Sequence, residues 1–424
     1  MNRTIYSQLS AMMFLEFFIW GGWFVTLGTF LSNNLNADGG QTAMAFSTQS
    51  WGAIIAPFII GLIADRYFHA ERILGAIHLI GAVLMFLMAN ATEFSAFYPV
   101  ALLYMILYMP TLALVNSVSF RQLQDPAKQF GQIRVWGTIG WIIAGLVISF
   151  VFSWDSAESV QQGLLRNTFM MTAVASLILG IFSFTLPKTP PVGGSENSKS
   201  LATMLGLDAL GILKDRNYFI FFVASVLICI PLAFYYQYAN PFLIEVGVEN
   251  ATGIMTIGQM SEVLFMLMLP VFILRFGIKV TLLVGMAAWV LRYAAFAMGD
   301  GGSLPLLITG IALHGVCYDF FFVSGQIYTD RRAGEQHRSA AQGLITLATY
   351  GVGMLIGYWI AGRLYDANTL DLGHNWVAIW GFPAIFALVI LVILALTFSD
   401  KASNRQQAAE EAKTGSMTPA SDML

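Results

Sequence analysis

The chain has 424 residues, of which 57% are hydrophobic and only 11% charged. Soluble domains carry about 25% charged residues, so a soluble globular protein is excluded. The apolar residues fall into many separate runs, which makes this a polytopic, all-α membrane protein. The net charge of −3 is uninformative, and nothing in the sequence points to a nucleic acid partner.

Twelve runs are long enough to cross the hydrocarbon core, which takes about 20 residues of helix. In the first half they are 10–31, 44–64, 73–91, 97–119, 131–153 and 165–186. In the second half they are 217–241, 252–274, 280–298, 304–328, 340–362 and 376–398. The expected organisation is a six-helix bundle over 1–186, a linker over 187–216, a second six-helix bundle over 217–398 and a disordered polar tail over 399–424. The N-terminus lacks a small-residue cleavage site after its apolar run and is expected to remain as the first span.

Span 1 contains Glu16, within the run FLEFF, which could be either a structural anchor or a functional acid. The loop joining spans 2 and 3 holds Gly61, Asp65, Arg66 and Arg72. There the glycine allows close helix approach, and the aspartate can meet a helix N-terminus or a neighbouring arginine. His78, alone in span 3, is expected to be a satisfied packing residue. In span 5, Arg134, Thr138 and Trp141 follow an i, i+4, i+7 spacing on one face. Gly137, Gly140, Ala144 and Gly145 in the same span favour close packing of helices.

The linker begins with Pro, Gly, Ser and Lys, and its second part, 200–214, spaces its leucines as an amphipathic surface helix would. In span 8, Gln259 and Glu262 are three residues apart on one face. Arg292, near the end of span 9, is expected to snorkel to the interface. Span 10 carries His314 and Tyr318 four residues apart, with Asp319 bordering their face.

Glu16, Glu262 and Asp319 are the only acids well inside the spans. A carboxylate at the centre of a membrane helix costs about 2.5–3.5 kcal/mol on insertion scales. A polar partner, a wet cavity or a bound proton must offset that. Glu262 and Asp319 are therefore the candidates for proton coupling, a purely structural pairing being the alternative. Cys229 and Cys317 lie in apolar runs with neither metal-ligand spacing nor a disulfide framework. No metal site is expected.

Charge asymmetry sets the orientation. With the N-terminus in the cytoplasm, all 21 basic residues except Arg166, Arg292 and Arg363 fall on cytoplasmic segments. The positive-inside rule then places both termini in the cytoplasm.

The loop over 61–72, with its Asp65-Arg66 pair, resembles the signature of the major facilitator superfamily. Landmarks along nearly the whole chain narrow the resemblance to that superfamily's nucleoside:proton symporter family. They include FFIWGGWF (17–24), IRVWGTIGW (133–141), GQMSEVLFML (258–267) and HGVCYDFFFVSG (314–325). The resemblance implies the twelve-helix fold of the superfamily, with a gating loop at Gly61, Asp65, Arg66 and Arg72. It also implies proton-coupled nucleoside uptake by alternating access across a bacterial cytoplasmic (inner) membrane. A substrate site is implied at Arg134, Thr138, Trp141, Gln259, Glu262, His314, Tyr318 and Asp319. Span 7 adds Tyr236, at a position where relatives place an amide, and Ala233 replaces a second amide. The implied partners are nucleosides, protons and the bilayer. The chain is expected to be a monomer, driven by the proton gradient without a cofactor. A proton-coupled sugar or glycoside symporter is the second reading, since sugar hydroxyls ask for the same acceptors. A membrane sensor lacks a signalling domain here, and a membrane enzyme lacks a nucleophile motif or metal cluster.

Overall fold

The computed structural model describes residues 2–59, 68–124, 126–191 and 207–399, and these form helices joined by short turns. Helix is the economical answer to an apolar solvent, because each backbone group finds its partner within the same segment. The first helix, Arg3–Phe24, starts where the Asn2 side chain accepts the Thr4 N–H at 3.1 Å, and Leu27–Asn34 follows after a one-turn irregularity. Gly39–Ile59, Ala70–Ala89, Phe94–Gln122, Pro126–Leu146 and Arg166–Ser183 complete the first half. The second half begins with Arg216–Glu245, capped by Asp215. It continues through Ala251–Met298, Leu304–Ala312, His314–Tyr318, Ser324–Thr346, Met354–Ala367 and Trp376–Thr397.

Among the described residues, ten stretches are long and apolar enough to cross a membrane. The twelve expected spans all coincide with helix where they are described, and two features account for the different number. Gly39–Ile59, the described part of span 2, is not among the ten. Ala251–Met298 runs through spans 8 and 9 as one element of 48 residues. A straight helix of that length would reach about 70 Å, more than twice the hydrocarbon thickness of about 30 Å. It is bent at Gly277, whose φ of 76° and ψ of 169° no residue with a Cβ adopts easily. A similar break at Gly334 separates spans 10 and 11.

Three helices also contain a π-helical turn, at Val147–Val151, Asp319–Val323 and Leu347–Gly353. Such turns insert one extra residue and often mark functional sites. Of the stretch 200–214 expected as an amphipathic helix, 200–206 lie outside the described residues, and Leu207–Lys214 is a 3-10 helix. Gly211 and the shortness of the stretch favour the tighter turn. Ala209 packs there against Ala340, Ala341 and Leu344.

In the first half, Arg3–Phe24 packs along Pro126–Leu146 and Arg166–Ser183, and Ala70–Ala89 along Arg166–Ser183 and Phe94–Gln122. Gly140 shows how close the first of these contacts is. A Cβ built there would lie 2.1 Å from the Phe14 carbonyl oxygen, which is backbone and cannot rotate away. Gly140→Val should therefore destabilise the protein by about 1–3 kcal/mol through overpacking. The measurement is a thermal melt in detergent, and an unchanged midpoint would contradict the contact.

Glu16 joins the same helices. Fully buried, it receives the Thr111 hydroxyl at 2.5 Å and faces His78 Nε2 at 2.8 Å, while the Tyr108 hydroxyl donates to its backbone carbonyl. His78 Nδ1 meets Ser176 at 3.2 Å, so both of its ring nitrogens have partners and it is the satisfied packing residue expected.

The halves meet where Gly39–Ile59 lies against Met354–Ala367 and Pro126–Leu146 against Ala251–Met298. Hydrogen bonds between the halves gather toward the end that bears the turns at 35–38, 152–156 and 246–250. Thr29 donates to Asn240 at 2.7 Å, and the Gly39 N–H donates to Asp366 at 2.6 Å. Asp155 Oδ2 accepts the Thr252 N–H at 2.9 Å, and Ser149 Oγ accepts the Gly253 N–H at 2.6 Å. Asp155 and Ser149 thus receive the first N–H groups of Ala251–Met298, which a helix leaves without internal partners.

Candidate functional site

A cavity of about 360 Å³ lies between the halves. Pro126–Leu146 presents Arg134, Thr138 and Trp141 to it from one face, as their spacing predicted. Ala251–Met298 contributes Gln259 and Glu262, Arg216–Glu245 contributes Tyr236, and His314–Tyr318 contributes its two terminal residues. Eight of the nine expected substrate-site residues therefore line one space.

The ninth does not. Asp319 has 0% exposure and is not part of the cavity wall. One residue beyond Tyr318, it is rotated by about 100° off the cavity face. Neither carboxylate oxygen has a hydrogen-bond partner, and the residue opens the π-helical turn Asp319–Val323. An ionised carboxylate in that position would be uncompensated.

Aromatic rings form much of the wall. Trp141 packs edge-on to Trp20 with ring centroids 5.6 Å apart, and Tyr236 does the same with Phe24 at 5.9 Å. The Arg134 guanidinium lies 4.1 Å above the Phe17 ring, a cation–π contact that leaves its N–H donors available. The Tyr318 and Tyr350 hydroxyls are hydrogen-bonded to each other. Glu262 keeps 23% side-chain exposure, and its Oε2 is 3.8 Å from His314 Nε2.

Arg292 corrects the sequence reading. It does not snorkel: it is 0% exposed, its guanidinium lies 3.5 Å from the centre of the Tyr235 ring, and its Nη1 is 2.7 Å from His314 Nδ1. Distance from the end of a span estimates depth but not direction, and this side chain turns inward. Sequence reasoning also missed Gln49, Asn116, Trp20 and Tyr350, which line the cavity. Gln49 had a signal, the polar run Ser47-Thr48-Gln49-Ser50 inside an expected span. It accepts the Tyr358 hydroxyl at 2.6 Å, and Ser50 donates to the Tyr350 carbonyl at 2.9 Å. In the expected gating loop, Gly61, Asp65 and Arg66 lie outside the described residues. Arg72 is exposed in the first turn of Ala70–Ala89, beside Glu71, which accepts the Thr189 N–H at 2.8 Å.

Flat aromatic faces and convergent polar groups in a space of this size suit a solute with a planar ring and hydroxyl groups. Comparisons with known proteins agree. A family model described as nucleoside H+ symporter matches residues 1–403. The chain is 42% identical over 403 residues to the Escherichia coli (strain K12) protein named "Putative nucleoside transporter YegT", covering 93% of this chain and 94% of that protein. It is 35% identical over 411 residues to xanthosine permease of the same strain, covering 93% and 96%. Among solved structures, that of nucleoside transporter NupG superimposes with a TM-score of 0.84 at 32% identity, covering 94% of this chain and 99% of that one.

Proposed function

The chain belongs to the nucleoside H+ symporter family, and from that premise we propose that the cavity beside Trp141, Gln259, Glu262 and Tyr318 holds the nucleoside during uptake. The protein is a multi-pass membrane carrier with the major facilitator fold, not an enzyme, and it couples nucleoside uptake to protons. The observation that carries the site assignment is the convergence of helices from both halves on one aromatic, polar cavity.

Trp141, Tyr236 and Tyr318 offer faces for the base. Gln259 and Glu262 offer partners for the ribose hydroxyls, and Arg134 adds donors on the opposite wall. Asp319, buried without a partner, binds a proton in this conformation and releases it when rearrangement of the helices brings it to water. Glu262, which reaches into the cavity, links occupancy by the nucleoside to that step. The bonds at Asn240, Asp155 and Asp366 hold one end closed, and exchange of the closed end gives alternating access.

We place this protein in a bacterial inner membrane with both termini in the cytoplasm, and the closed end is then the outer one. Labelling checks the orientation in a background with the buried Cys229 and Cys317 replaced. Ser195→Cys is expected to resist an impermeant thiol reagent in intact cells, and the exposed Glu249→Cys to react. The reverse pattern overturns the topology. Uptake into proteoliposomes, measured for a panel of nucleosides and sugars with and without an imposed pH gradient, tests the function itself. Faster gradient-driven uptake of simple sugars than of nucleosides would transfer the assignment to a sugar or glycoside symporter.

A further inference from the structure

Arg292 has no role in the site as built so far, and its position demands one. A guanidinium at 0% exposure in a membrane helix needs a reason to be there. No carboxylate lies within ion-pair distance of it among the described residues. It lies instead against the Tyr235 ring at 3.5 Å, more distant Trp289 and Phe296 rings, the Cys317 thiol, and His314 Nδ1 at 2.7 Å.

The last contact carries chemical information. Arginine stays protonated in proteins and can only donate. Nδ1 of His314 must therefore present its lone pair, and the proton of the neutral ring sits on Nε2. Nε2 is the atom that faces Glu262, 3.8 Å away. That gap is too long for a direct hydrogen bond. A hydroxyl oxygen between the two groups can accept from Nε2–H and donate to the carboxylate, satisfying both. With the opposite tautomer, two acceptors would face each other there.

We propose that Arg292 is a positioning residue which holds His314 as its Nε2–H tautomer, so that His314 and Glu262 form a donor–acceptor pair that reads a hydroxyl of the substrate. The identification of that hydroxyl as one of the ribose rests on the nucleoside reading above. The charged and titratable groups around the imidazole are Arg292 and Glu262 from Ala251–Met298, Tyr235 from Arg216–Glu245, and Cys317 and Tyr318 with the following Asp319 on its own span. Arg134 lines the same cavity from Pro126–Leu146. Arg292 alone among them donates to a ring nitrogen.

Nitrogen-15 spectra of histidine-labelled full-length protein in proteoliposomes test the tautomer directly, with His314→Gln identifying the signals by difference. The expected result is a neutral ring with its proton on Nε2. In Arg292→Met, with no donor held on Nδ1, a share of the neutral ring should appear with its proton on Nδ1 instead. A wild-type ring protonated on Nδ1, or doubly protonated, overturns the proposal without reference to any substrate. Uptake provides the second reading. The preference for nucleosides over their 2′,3′-dideoxy analogues should fall about tenfold in Arg292→Met, a change of one decade in relative transition-state binding. It should recover in Arg292→Lys, whose ammonium can donate to the same atom. In a His314→Gln background, Arg292→Met should change the preference no further, whereas a role in packing alone would persist there. If the wild type takes up no nucleoside, the functional reading fails while the spectra still decide the role of Arg292.

Discussion

Asp319→Asn is expected to abolish accumulation driven by a pH gradient while leaving exchange of nucleoside across the membrane intact. The amide preserves shape but cannot titrate. Asp319 is buried with both oxygens unpartnered, and the amide fills the same space without a charge to compensate. One pH unit across the membrane is worth about 1.4 kcal/mol for each proton carried, or about tenfold in accumulation. Loss of coupling should therefore lower the accumulation ratio by about that factor per unit of gradient. Glu262→Gln should have a comparable effect on coupling and should also weaken substrate binding, because Glu262 faces the cavity and Asp319 does not. Accumulation and counterflow in proteoliposomes separate the two functions. If both amide variants concentrate nucleoside as the wild type does, these acids do not carry the proton.

Trp141→Ala is expected to weaken nucleoside binding far more than binding of any simple sugar. Stacking of a base on an aromatic side chain is worth about 1–3 kcal/mol by alanine substitution, or roughly five- to 150-fold in affinity. Trp141 is well placed to provide it, being braced by Trp20 so that it offers a pre-oriented face. A sugar has no planar ring to stack and should lose little. Hydroxyl recognition should be at least as sharp, since removing a substrate hydroxyl leaves buried polar groups unpaired at about 1–3 kcal/mol each. Competition assays should find several nucleosides effective, 2′,3′-dideoxy analogues poor and free bases almost inert. Equal losses for nucleoside and sugar in Trp141→Ala would remove the stacking role.

The helical plan and most of the cavity could be read from the sequence because hydropathy and the 3.6-residue period are local signals. Arg134, Thr138 and Trp141 share a face by spacing alone, and they share a cavity wall in the structure. Asp319 and Arg292 were harder for one reason: facing direction depends on which helices surround a residue, and a π-helical turn shifts the phase just where Asp319 lies. The partnership of Glu16 with His78, 62 residues apart, has no local signature at all. Nor does the contact of Arg292 with His314, which depends on how Ala251–Met298 folds back against span 10. Gln49 was legible in principle, as an amide within a polar run inside a span, but no spacing rule connected it with the second half of the chain.

The bonds that fasten one end of the molecule have a bearing on affinity as well as on structure. Asp155 Oδ2 receives both the Ser149 hydroxyl at 2.5 Å and the Thr252 N–H at 2.9 Å, and none of these three residues lines the cavity. Hydrogen bonds to a charged group contribute about 1.5–3 kcal/mol each, enough to move a two-state equilibrium by a factor of ten or more. A ligand arriving at the sealed face meets a binding-competent fraction set by these bonds, and its dissociation constant is raised by the reciprocal of that fraction. The carrier can therefore display different affinities on its two faces with one and the same set of cavity residues. Adjusting Asp155 would retune that difference while leaving the choice of nucleoside untouched.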